Sequence, residues 1–238
     1  MTRASNAYRV VRGRIISGEM GLGAPISRRR LASELGVSFL PITEALIRLE
    51  LEGLVESRPR AGTRVRIPTA QEVRDHFIVR EAFEAQAAIA FARAATTRDR
   101  SDVQRLARRV DDLSDRGAGC AAVEAHLRFH RRILKGARCP SLVAAIEAND
   151  ALASAWLSAG GAQRAAAVPS PRHRELACTL CTGSPEESAA AARQHVAGDM
   201  QHVLALLEPY FRFRQVHAER FYRSARKQPR AGVRSDLR

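Results

Sequence analysis

Four of the seven histidines have a spacing that could hold a metal ion. His126 and His130 stand four residues apart in a segment with helical periodicity, so their side chains share one face. His173 and His195 fall in two later predicted helices. Imidazoles that project inward from separate helices of a bundle can bind one metal ion together. The four histidines are therefore candidate ligands, and the alternative is that the first two form a surface pair or a satisfied core pair.

The helices that would position these histidines begin near Gln71. From there the sequence is rich in alanine and has no convincing strand pattern. The last helix starts with a capping box, in which Ser184 is the N-cap, Pro185 the first helical residue and Glu187 the third. Six helices of this kind predict an antiparallel all-α bundle. We place them at residues 69–95, 98–116, 121–135, 141–158, 172–181 and 185–213.

The N-terminal part of the sequence has a different organisation. Residues 7–17 have helical spacing, and Ser27 can cap a second helix that ends at Gly36. A third helix starts between Phe39 and Pro41, because proline is tolerated only in the first turn. Two short helices joined by a tight turn form a helix-turn-helix.

Two short segments after Gly53 alternate as strands do. Residues 54–58 and 63–67 have this pattern, and the proline and glycine within residues 59–62 suit a turn. A helix-turn-helix followed by such a hairpin, or wing, is typical of DNA-binding domains, whose second helix enters the major groove. Residues 1–68 contain 12 Arg against 6 Glu, a net charge of +6 that suits phosphate. The predicted fold class is mainly α: an N-terminal winged helix-turn-helix, with three helices plus a β-hairpin, followed by the all-α bundle.

The composition limits the class of protein. The chain has 238 residues, 45% of them hydrophobic, and a formal net charge of +14, which allows one large domain or two smaller ones. Its four cysteines are scattered, and Cys178 and Cys181 fall inside a predicted helix, so we expect no disulfide framework. No stretch approaches the roughly 18 apolar residues of a membrane helix, and the N-terminus lacks the apolar run of a signal peptide. We therefore expect a soluble, cytoplasmic protein without a membrane partner.

One set of N-terminal residues matches a known pattern. The matching residues are Ile15-Ile16-Ser17-Gly18, Gly23, Leu31-Ala32, Leu35-Gly36-Val37-Ser38, Pro41, Glu44-Ala45-Leu46, Leu49-Glu50, Glu52-Gly53-Leu54-Val55 and Gly62. This segment resembles the winged-helix domain of GntR-family bacterial transcription regulators. The family usually has Arg, Thr and Arg where this chain has Phe39, Leu40 and Thr43. Because those arginines contact guanine edges or phosphates in the family, the resemblance implies an atypical operator or weak specific binding.

The helical part contains a second set of matching residues: Arg80, Glu84, Phe129, His130, His173 and His195. Over residues 71–212 the chain resembles the FCD-type effector domain of FadR-like GntR regulators. Many of these bind a divalent metal through an Asp-x-x-Phe-His motif and two later histidines. Here His130, His173 and His195 match, whereas His126 stands at the Asp position. Four neutral imidazoles favour Zn²⁺ or Ni²⁺ over Mn²⁺ or Mg²⁺, unless His126 turns away and the site is lost.

The resemblance also implies an acidic metabolite, which such regulators hold with the metal and nearby polar groups. Arg80 is the candidate for its carboxylate, since a guanidinium can form two parallel hydrogen bonds to one. The alternative is a buried ion pair between Arg80 and Glu84 on the same helix. Cys139 stands where the family often has Asn, so the identity of the metabolite cannot be taken from relatives.

These features predict a ligand-responsive transcription repressor that binds a pseudo-palindromic operator as a homodimer, because one winged helix covers only a half-site. Its predicted domains are residues 1–68 for DNA binding, 69–213 for effector binding and dimerisation, and 214–238 as a basic, disordered tail or an added nucleic-acid contact. The predicted DNA contacts are Arg28, Arg29 and Arg30 at phosphates, Ser38, Phe39, Thr43 and Arg48 in or beside the recognition helix, and Arg60 and Gly62 at the wing tip. Arg48 could instead lie on a solvated helix face.

Two other functions compete with this prediction. A metal-dependent enzyme would use the histidine site to activate water. Against an enzyme, no carboxylate has catalytic spacing beside the histidines, although Glu124 is close in sequence, and we do not expect one. A non-specific nucleic-acid-binding protein would explain why Phe39 and Leu40 replace polar residues in the recognition helix.

Overall fold

The computed structural model describes residues 2–59, 61–159 and 172–226. Along these residues the chain forms nine helices and three strands, and the predicted fold class is confirmed. The N-terminal elements are α1 (Arg3–Ile16), β1 (Pro25–Ile26), α2 (Arg28–Leu35), α3 (Phe39–Leu51), β2 (Val55–Arg58) and β3 (Gly62–Val65). The bundle consists of α4 (Ala70–Ala94), α5 (Thr97–Asp115), α6 (Gly119–Gly136), α7 (Pro140–Ala159), α8 (His173–Thr182) and α9 (Pro185–Arg226).

The helix-turn-helix forms for the local reasons that its sequence indicates. The Ser27 hydroxyl accepts a hydrogen bond from the Arg30 amide at 3.2 Å and so caps α2. Gly36 ends α2 with a φ of +61°, a conformation that L side chains rarely adopt. The side of α3 that includes Leu46 and Leu49 is buried in the core of this domain.

The wing belongs to a three-stranded antiparallel sheet in which β3 lies between β1 and β2. Val55 pairs with Val65 in the predicted hairpin, whereas Ile26 pairs with Thr63 in a strand that the sequence did not predict. The strand β1 has two residues, too few for alternation to be visible. Its pairing depends on β3, almost forty residues later in the chain, which a local pattern cannot report.

The bundle packs α4 along α9 and packs α5 against α6 and α8. Capping boxes begin three of its helices: Thr69 and Glu72 at α4, Thr96 and Asp99 at α5, and the predicted Ser184 and Glu187 at α9. Phe91, Phe129 and Leu180 form the centre of one buried cluster, and Phe77, Trp156 and Leu206 that of a second. None of the helices in the described part of the chain combines the length and apolar character that a membrane crossing requires.

The helix α7 joins the two parts of the molecule. Ala151 and Ala155 from α7 lie in the core of the N-terminal domain. The Ser158 hydroxyl donates a hydrogen bond of 2.6 Å to the Ile16 carbonyl. Gly18 has a φ of +78°, and a Cβ there would approach the Ser158 carbonyl oxygen to 3.0 Å, so a larger residue does not fit. The winged domain is therefore docked on the bundle.

The end of α9 differs from its predicted position at residue 213. The helix continues to Arg226, so residues 214–226 are helical where the sequence predicted a disordered tail. Arg214, the first residue of this extension, donates a hydrogen bond of 2.5 Å to the Ile67 carbonyl. The remainder of the predicted tail, residues 227–238, lies outside the described residues.

Candidate metal centre and nucleic-acid interface

The structure brings the four predicted histidines together inside the bundle. His126 and His130 lie one turn apart on α6, His173 begins α8, and His195 lies on α9. The ring centroids are 4.5 Å apart for His126 and His130, and 4.7 Å apart for His173 and His195. All four side chains are buried. His126 points into the cluster, so the alternative in which it turns away does not apply to this structure.

Buried carboxylates orient two of these rings. The Nδ1 atom of His130 lies 3.1 Å from a Glu84 carboxylate oxygen, and that of His173 lies 3.1 Å from Asp111 Oδ1. An imidazole that donates its Nδ1–H to a carboxylate keeps a lone pair on Nε2, which is the usual arrangement around metal-bound histidine. The Nε2 atom of His130 is thereby prepared to accept a cation, whereas that of His173 lies 2.9 Å from Nδ1 of His126 and would have to exchange this hydrogen bond for the ion.

A fifth candidate ligand, Asp199, was missed by the sequence reasoning. It lies one turn after His195 on α9, and its Oδ2 atom is 3.9 Å from Nε2 of both His126 and His195. The resemblance directed attention to position 126 for a carboxylate, whereas the spacing of His195 and Asp199 is itself a signal for one helical face. The prediction of an all-nitrogen ligand set is thus incomplete, because a carboxylate belongs to the same cluster.

The cluster contains polar atoms that only a further partner could satisfy. Within the described part of the chain, His130 Nε2, His195 Nε2 and Asp199 Oδ2 are buried and have no hydrogen-bond partner. An unpaired buried polar atom costs about 1–3 kcal/mol. The ligand atoms of these three residues lie within 4.8 Å of one another, as do those of His126, His130 and His173. A divalent cation would satisfy all the unpaired atoms at once, so the residues fit a metal site.

The protonation states also suit a cation. Burial lowers the pKa of His126 well below its ordinary value and that of His195 to about 4, with added repulsion from the neighbouring imidazoles. Burial opposes ionisation of Asp199, but its attraction to His195, His126 and Arg80 holds its pKa below the usual range. Near neutral pH His126 and His195 are therefore neutral and Asp199 is ionised, the forms that bind metals.

Arg80 forms the ion pair that the sequence offered as an alternative to effector binding. Its Nε donates to Glu84 at 2.5 Å, and its Nη2 lies 3.4 Å from Asp199 Oδ2. Its Nη1 atom is buried without a hydrogen-bond partner among the described side chains. Arg80, Glu84 and His130 thus form one continuous network with a single guanidinium nitrogen unused.

A small cavity adjoins His130. It is lined mainly by apolar side chains, including Ile133 and Ile146, and by the carboxylates of Glu84 and Asp150. Burial raises the pKa of Asp150, opposed by the charge of Arg80. The volume that water can occupy is about 20 Å³, enough for one or two molecules. A metabolite larger than that would have to displace side chains.

The predicted phosphate contacts lie on the surface. Arg28, Arg29 and Arg30 open α2 and are exposed. Arg28 also donates to the Thr63 hydroxyl at 3.3 Å, which connects α2 with the wing. Gly62, in the wing, is exposed with a φ of +78°. The other predicted wing residue, Arg60, lies outside the described residues.

The predicted recognition helix, α3, has an apolar tip. Phe39 and Leu40 are 55% and 66% exposed in its first turn. Ser38 precedes them and its hydroxyl makes no capping bond to the described backbone, while the Thr43 hydroxyl donates to the Phe39 carbonyl at 3.1 Å. The fourth predicted contact, Arg48, stacks on the ring of Tyr8 in α1, with its guanidinium carbon 3.9 Å from the ring centroid.

Comparisons with known proteins agree with this architecture. The family model for bacterial regulatory proteins of the gntR family matches residues 3–65, and the FCD domain model matches residues 75–198. The chain is 29% identical over 185 residues to a protein of Paenarthrobacter nicotinovorans named as a probable D-xylose utilization operon transcriptional repressor, covering 77% of this chain and 80% of that one. It is 32% identical over 77 residues to the HTH-type transcriptional repressor RspR of Escherichia coli strain K12, about a third of each chain.

Solved structures show the same fold. A GntR regulator from Rhodococcus sp. RHA1 superimposes with a TM-score of 0.72 at 20% identity, over 86% of this chain and 98% of that one. McbR/YncC of E. coli superimposes with a TM-score of 0.64 at 18% identity, over 89% and 99%. The curated relatives named above are transcriptional regulators and not enzymes, which removes the enzyme alternative. The chain belongs to the GntR family of bacterial transcriptional regulators and has a C-terminal FCD domain.

Proposed function

We propose that the chain is a repressor that binds a pseudo-palindromic operator as a homodimer and responds to a small metabolite at a metal in its FCD domain. Residues 1–68 would bind DNA, and residues 69–213 would bind the effector and dimerise. A dimer is proposed because one winged helix covers only a half-site, whereas a two-fold pair doubles the contacts. The observation that carries the proposal is the contact of one helix, α7, with both parts of the molecule.

The proposed metal ligands are His126, His130, His173, His195 and Asp199. Five side chains exceed the four ligands of a tetrahedral Zn²⁺ site, so we propose a five-coordinate ion that uses them all. Imidazole nitrogens still outnumber the carboxylate, and we therefore propose Zn²⁺ or Ni²⁺ rather than Mn²⁺ or Mg²⁺. When bound, the ion would polarise an oxygen donor of the effector.

The proposed effector is a small carboxylate that reaches the metal. The unused Nη1 of Arg80 supports a second contact with it. Glu84 and Asp150 line the adjoining cavity and would repel an anion that did not touch the metal. A neutral pentose is the second candidate, because such hydroxyls are not repelled by those carboxylates and because one relative is named for a D-xylose utilization operon.

The coupling between effector and DNA would run through α7. Ile146 and Asp150 on this helix line the cavity beside His130. Ala151, the next residue, and Ala155, about one turn later, pack in the core of the winged domain. A shift of α7 that enlarges the cavity would therefore move the winged domain relative to the bundle. Differential affinity of the effector for two such placements would be the source of allostery.

The proposed DNA contacts divide by chemistry. Arg28, Arg29 and Arg30 would bind phosphates, which explains their exposure at the start of α2. The recognition-helix residues Ser38, Phe39 and Thr43 would face base edges, with Arg60 and Gly62 at the backbone or minor groove. Arg48 was predicted either to contact DNA or to lie on a solvated helix face, and its stacking on Tyr8 supports a third role, which is to hold α3 against α1.

The test is DNA binding measured by fluorescence anisotropy with a duplex obtained by selection from random sequence. Metal-loaded protein should bind this duplex at least about 10³-fold more tightly than random DNA. A panel of small carboxylates and pentoses should contain a compound that weakens binding by about 5–150-fold, and only when metal is present. Equal affinity for selected and random duplexes would eliminate the proposed function.

A variant of α7 tests the coupling separately. Ser158→Ala removes the hydrogen bond to the Ile16 carbonyl and should reduce the effect of the compound on DNA affinity without changing metal binding. Ser154→Ala is the matched control, because its hydroxyl bonds to Asp150 within the same helix. If both variants keep the full effector response, the Ser158 contact is not part of the coupling.

A further inference from the structure

We propose that Phe39 and Leu40 recognise thymine methyl groups in the major groove, so that apolar contacts specify part of each half-site. This inference rests on the DNA binding of the proposed function and goes beyond it, because it names the base and the group on it. The proposed contact with a thymine methyl group takes the place of the contact between arginine and guanine that the family resemblance would imply at position 39. The argument uses the exposure of these side chains, their position on α3 and the charge around them.

The exposure of Phe39 and Leu40 is not explained by the core of the domain. The buried side of α3 already includes Ile42, Leu46 and Leu49, each at most 2% exposed. Phe39 and Leu40 are instead 55% and 66% exposed. Large apolar side chains this exposed contribute little to the core of the domain, and they would gain from burial against an apolar partner.

The position of these side chains on α3 indicates that the apolar partner is DNA. They occupy the first turn of α3, and the N-terminal residues of a recognition helix are those that contact base edges. The surrounding surface is cationic, since Arg28, Arg29 and Arg30 lie exposed on the preceding helix and residues 1–68 have 12 Arg against 6 Glu. An apolar tip flanked by cations complements a groove in which base edges lie between two rows of phosphates.

The chemistry of the major groove indicates that the contacted base is thymine. Thymine alone among the four bases presents a methyl group in the major groove, and apolar side chains can pack on it. Guanine presents two acceptors at the same depth, O6 and N7. Phe39 or Leu40 placed there would exclude water from those acceptors and return no hydrogen bond. The same side chains thus favour thymine and disfavour guanine.

Apart from Ser38, the polar groups nearby are not placed to bond to guanine or to a phosphate. The Thr43 hydroxyl is engaged with the Phe39 carbonyl at 3.1 Å. Arg48 lies over the Tyr8 ring, and Glu44, which is exposed on α3, bears the wrong charge for a phosphate or for guanine. Ser38 remains as the polar neighbour that could bond to a base or phosphate.

The experiment replaces thymine by deoxyuridine, which keeps base pairing and removes only the methyl group. A high-affinity duplex is selected from random sequence with the full-length, metal-loaded protein, and each thymine of the half-site is replaced in turn. At the contacted positions we expect about fourfold weaker binding per methyl, which is the value of one buried methylene group. The same substitutions should have little effect on Phe39→Ala and Leu40→Ala, whose binding is already weakened.

The matched control is Leu51→Ala, which truncates an exposed leucine at the other end of the same helix. It should keep the full deoxyuridine effect. Because the three residues are exposed, the variants should retain the melting temperature of the original chain. An unchanged melting temperature would confirm that the variants fold. A converse variant, Phe39→Arg, should shift the selected base toward guanine.

The possible outcomes separate this inference from the proposed function. A selected sequence whose affinity does not depend on thymine methyls overturns the inference and leaves the regulator intact. Failure to select any sequence overturns both. If Leu40→Ala changes the oligomeric state but not the deoxyuridine effect, the apolar tip is a protein interface and the inference is wrong. Loss of the methyl effect in Phe39→Ala or Leu40→Ala, with its retention in Leu51→Ala, is the predicted result.

Discussion

The histidine cluster and the tip of α3 depart from the usual distribution of side chains in opposite directions. Within the described residues the cluster buries polar atoms that have no hydrogen-bond partner, among them His130 Nε2 and Asp199 Oδ2. The tip exposes Phe39 and Leu40, which would normally be buried. In the described structure each region would therefore be stabilised by a bound partner. The chemistry of the unsatisfied groups indicates which kind of partner. A cation would satisfy the convergent lone pairs, and an apolar edge between phosphates would cover the apolar surface that lies among arginines.

The two regions also differ in how firmly they are held. Rings in the cluster are fixed by carboxylates from other helices, as Asp111 fixes His173. In the described structure the tip side chains lie on the exposed side of α3, and this helix is anchored by its opposite, buried face. We therefore expect substitutions around the cluster to affect metal affinity from a distance, whereas substitutions at the tip should act only through direct contact.

The largest expected effect separates the two faces of α3. Leu46→Ala should lower the free energy of unfolding by about 2–5 kcal/mol, because Leu46 is buried and its truncation leaves a cavity. Leu40→Ala should change it by less than about 0.5 kcal/mol, since Leu40 is exposed. Urea denaturation followed by circular dichroism measures both. Similar losses for the two leucines would mean that the tip is structural.

Removal of metal should have the next largest effect. Protein saturated with Zn²⁺ at about 100 to 1,000 times its Kd should gain about 3–4 kcal/mol of stability over chelated protein. The reason is that the ion satisfies buried atoms that are otherwise unpaired. Thermal melting with added Zn²⁺ or with chelator gives the comparison. A melting temperature that changes with neither Zn²⁺ nor chelator would exclude a stabilising metal site.

Substitution of an orienting carboxylate should have a smaller effect on the same site. Asp111→Asn should weaken metal binding by about 10–100-fold, because Asp111 positions His173 without being a proposed ligand. Asp112→Asn is the matched control, as Asp112 is exposed and pairs with Arg174. Titration calorimetry with Zn²⁺ measures both variants. Equal losses would show that charge near the site, rather than ring orientation, controls affinity.

The smallest effect concerns Arg48. Arg48→Ala should cost about 0.5–1 kcal/mol of stability through loss of its stacking on Tyr8. DNA affinity should change by less than about threefold, because Arg48 is engaged with Tyr8. Loss of a good base contact would cost about 1–3 kcal/mol, which is a larger change. A double-mutant cycle with Tyr8→Leu isolates the stacking energy. A large loss of DNA affinity at unchanged stability would instead make Arg48 a direct contact.

Local signals made most of the fold predictable from the sequence. Ser27, Gly36 and the pair of Ser184 and Glu187 define helix ends through bonds within a few residues, and these predictions agree with the structure. The strand β1 and the extension of α9 depend on distant partners. Arg214, for example, bonds to the carbonyl of Ile67, 147 residues away. No pattern within a window of neighbouring residues contains that information.

The site was predictable to the extent that its residues share a helix. The spacing of His126 and His130 predicted a shared face, and His195 and Asp199 have the same spacing, although Asp199 was overlooked. The contact between His173 and Asp111 joins residues 62 positions apart and could not have been inferred from spacing. Sequence reasoning therefore found the histidine ligands better than the carboxylates that hold or complete them.

The central claim is that the cluster of four histidines and Asp199 holds a divalent cation. The most direct test is elemental analysis of protein purified without a histidine tag and dialysed against metal-free buffer, compared with His130→Ala and Asp199→Asn variants whose folding is checked by circular dichroism. The account predicts about one Zn²⁺ or Ni²⁺ per chain in the unmodified protein and a marked loss in both variants. Unmodified protein that retains no metal, or variants that retain as much as it does, would contradict the claim.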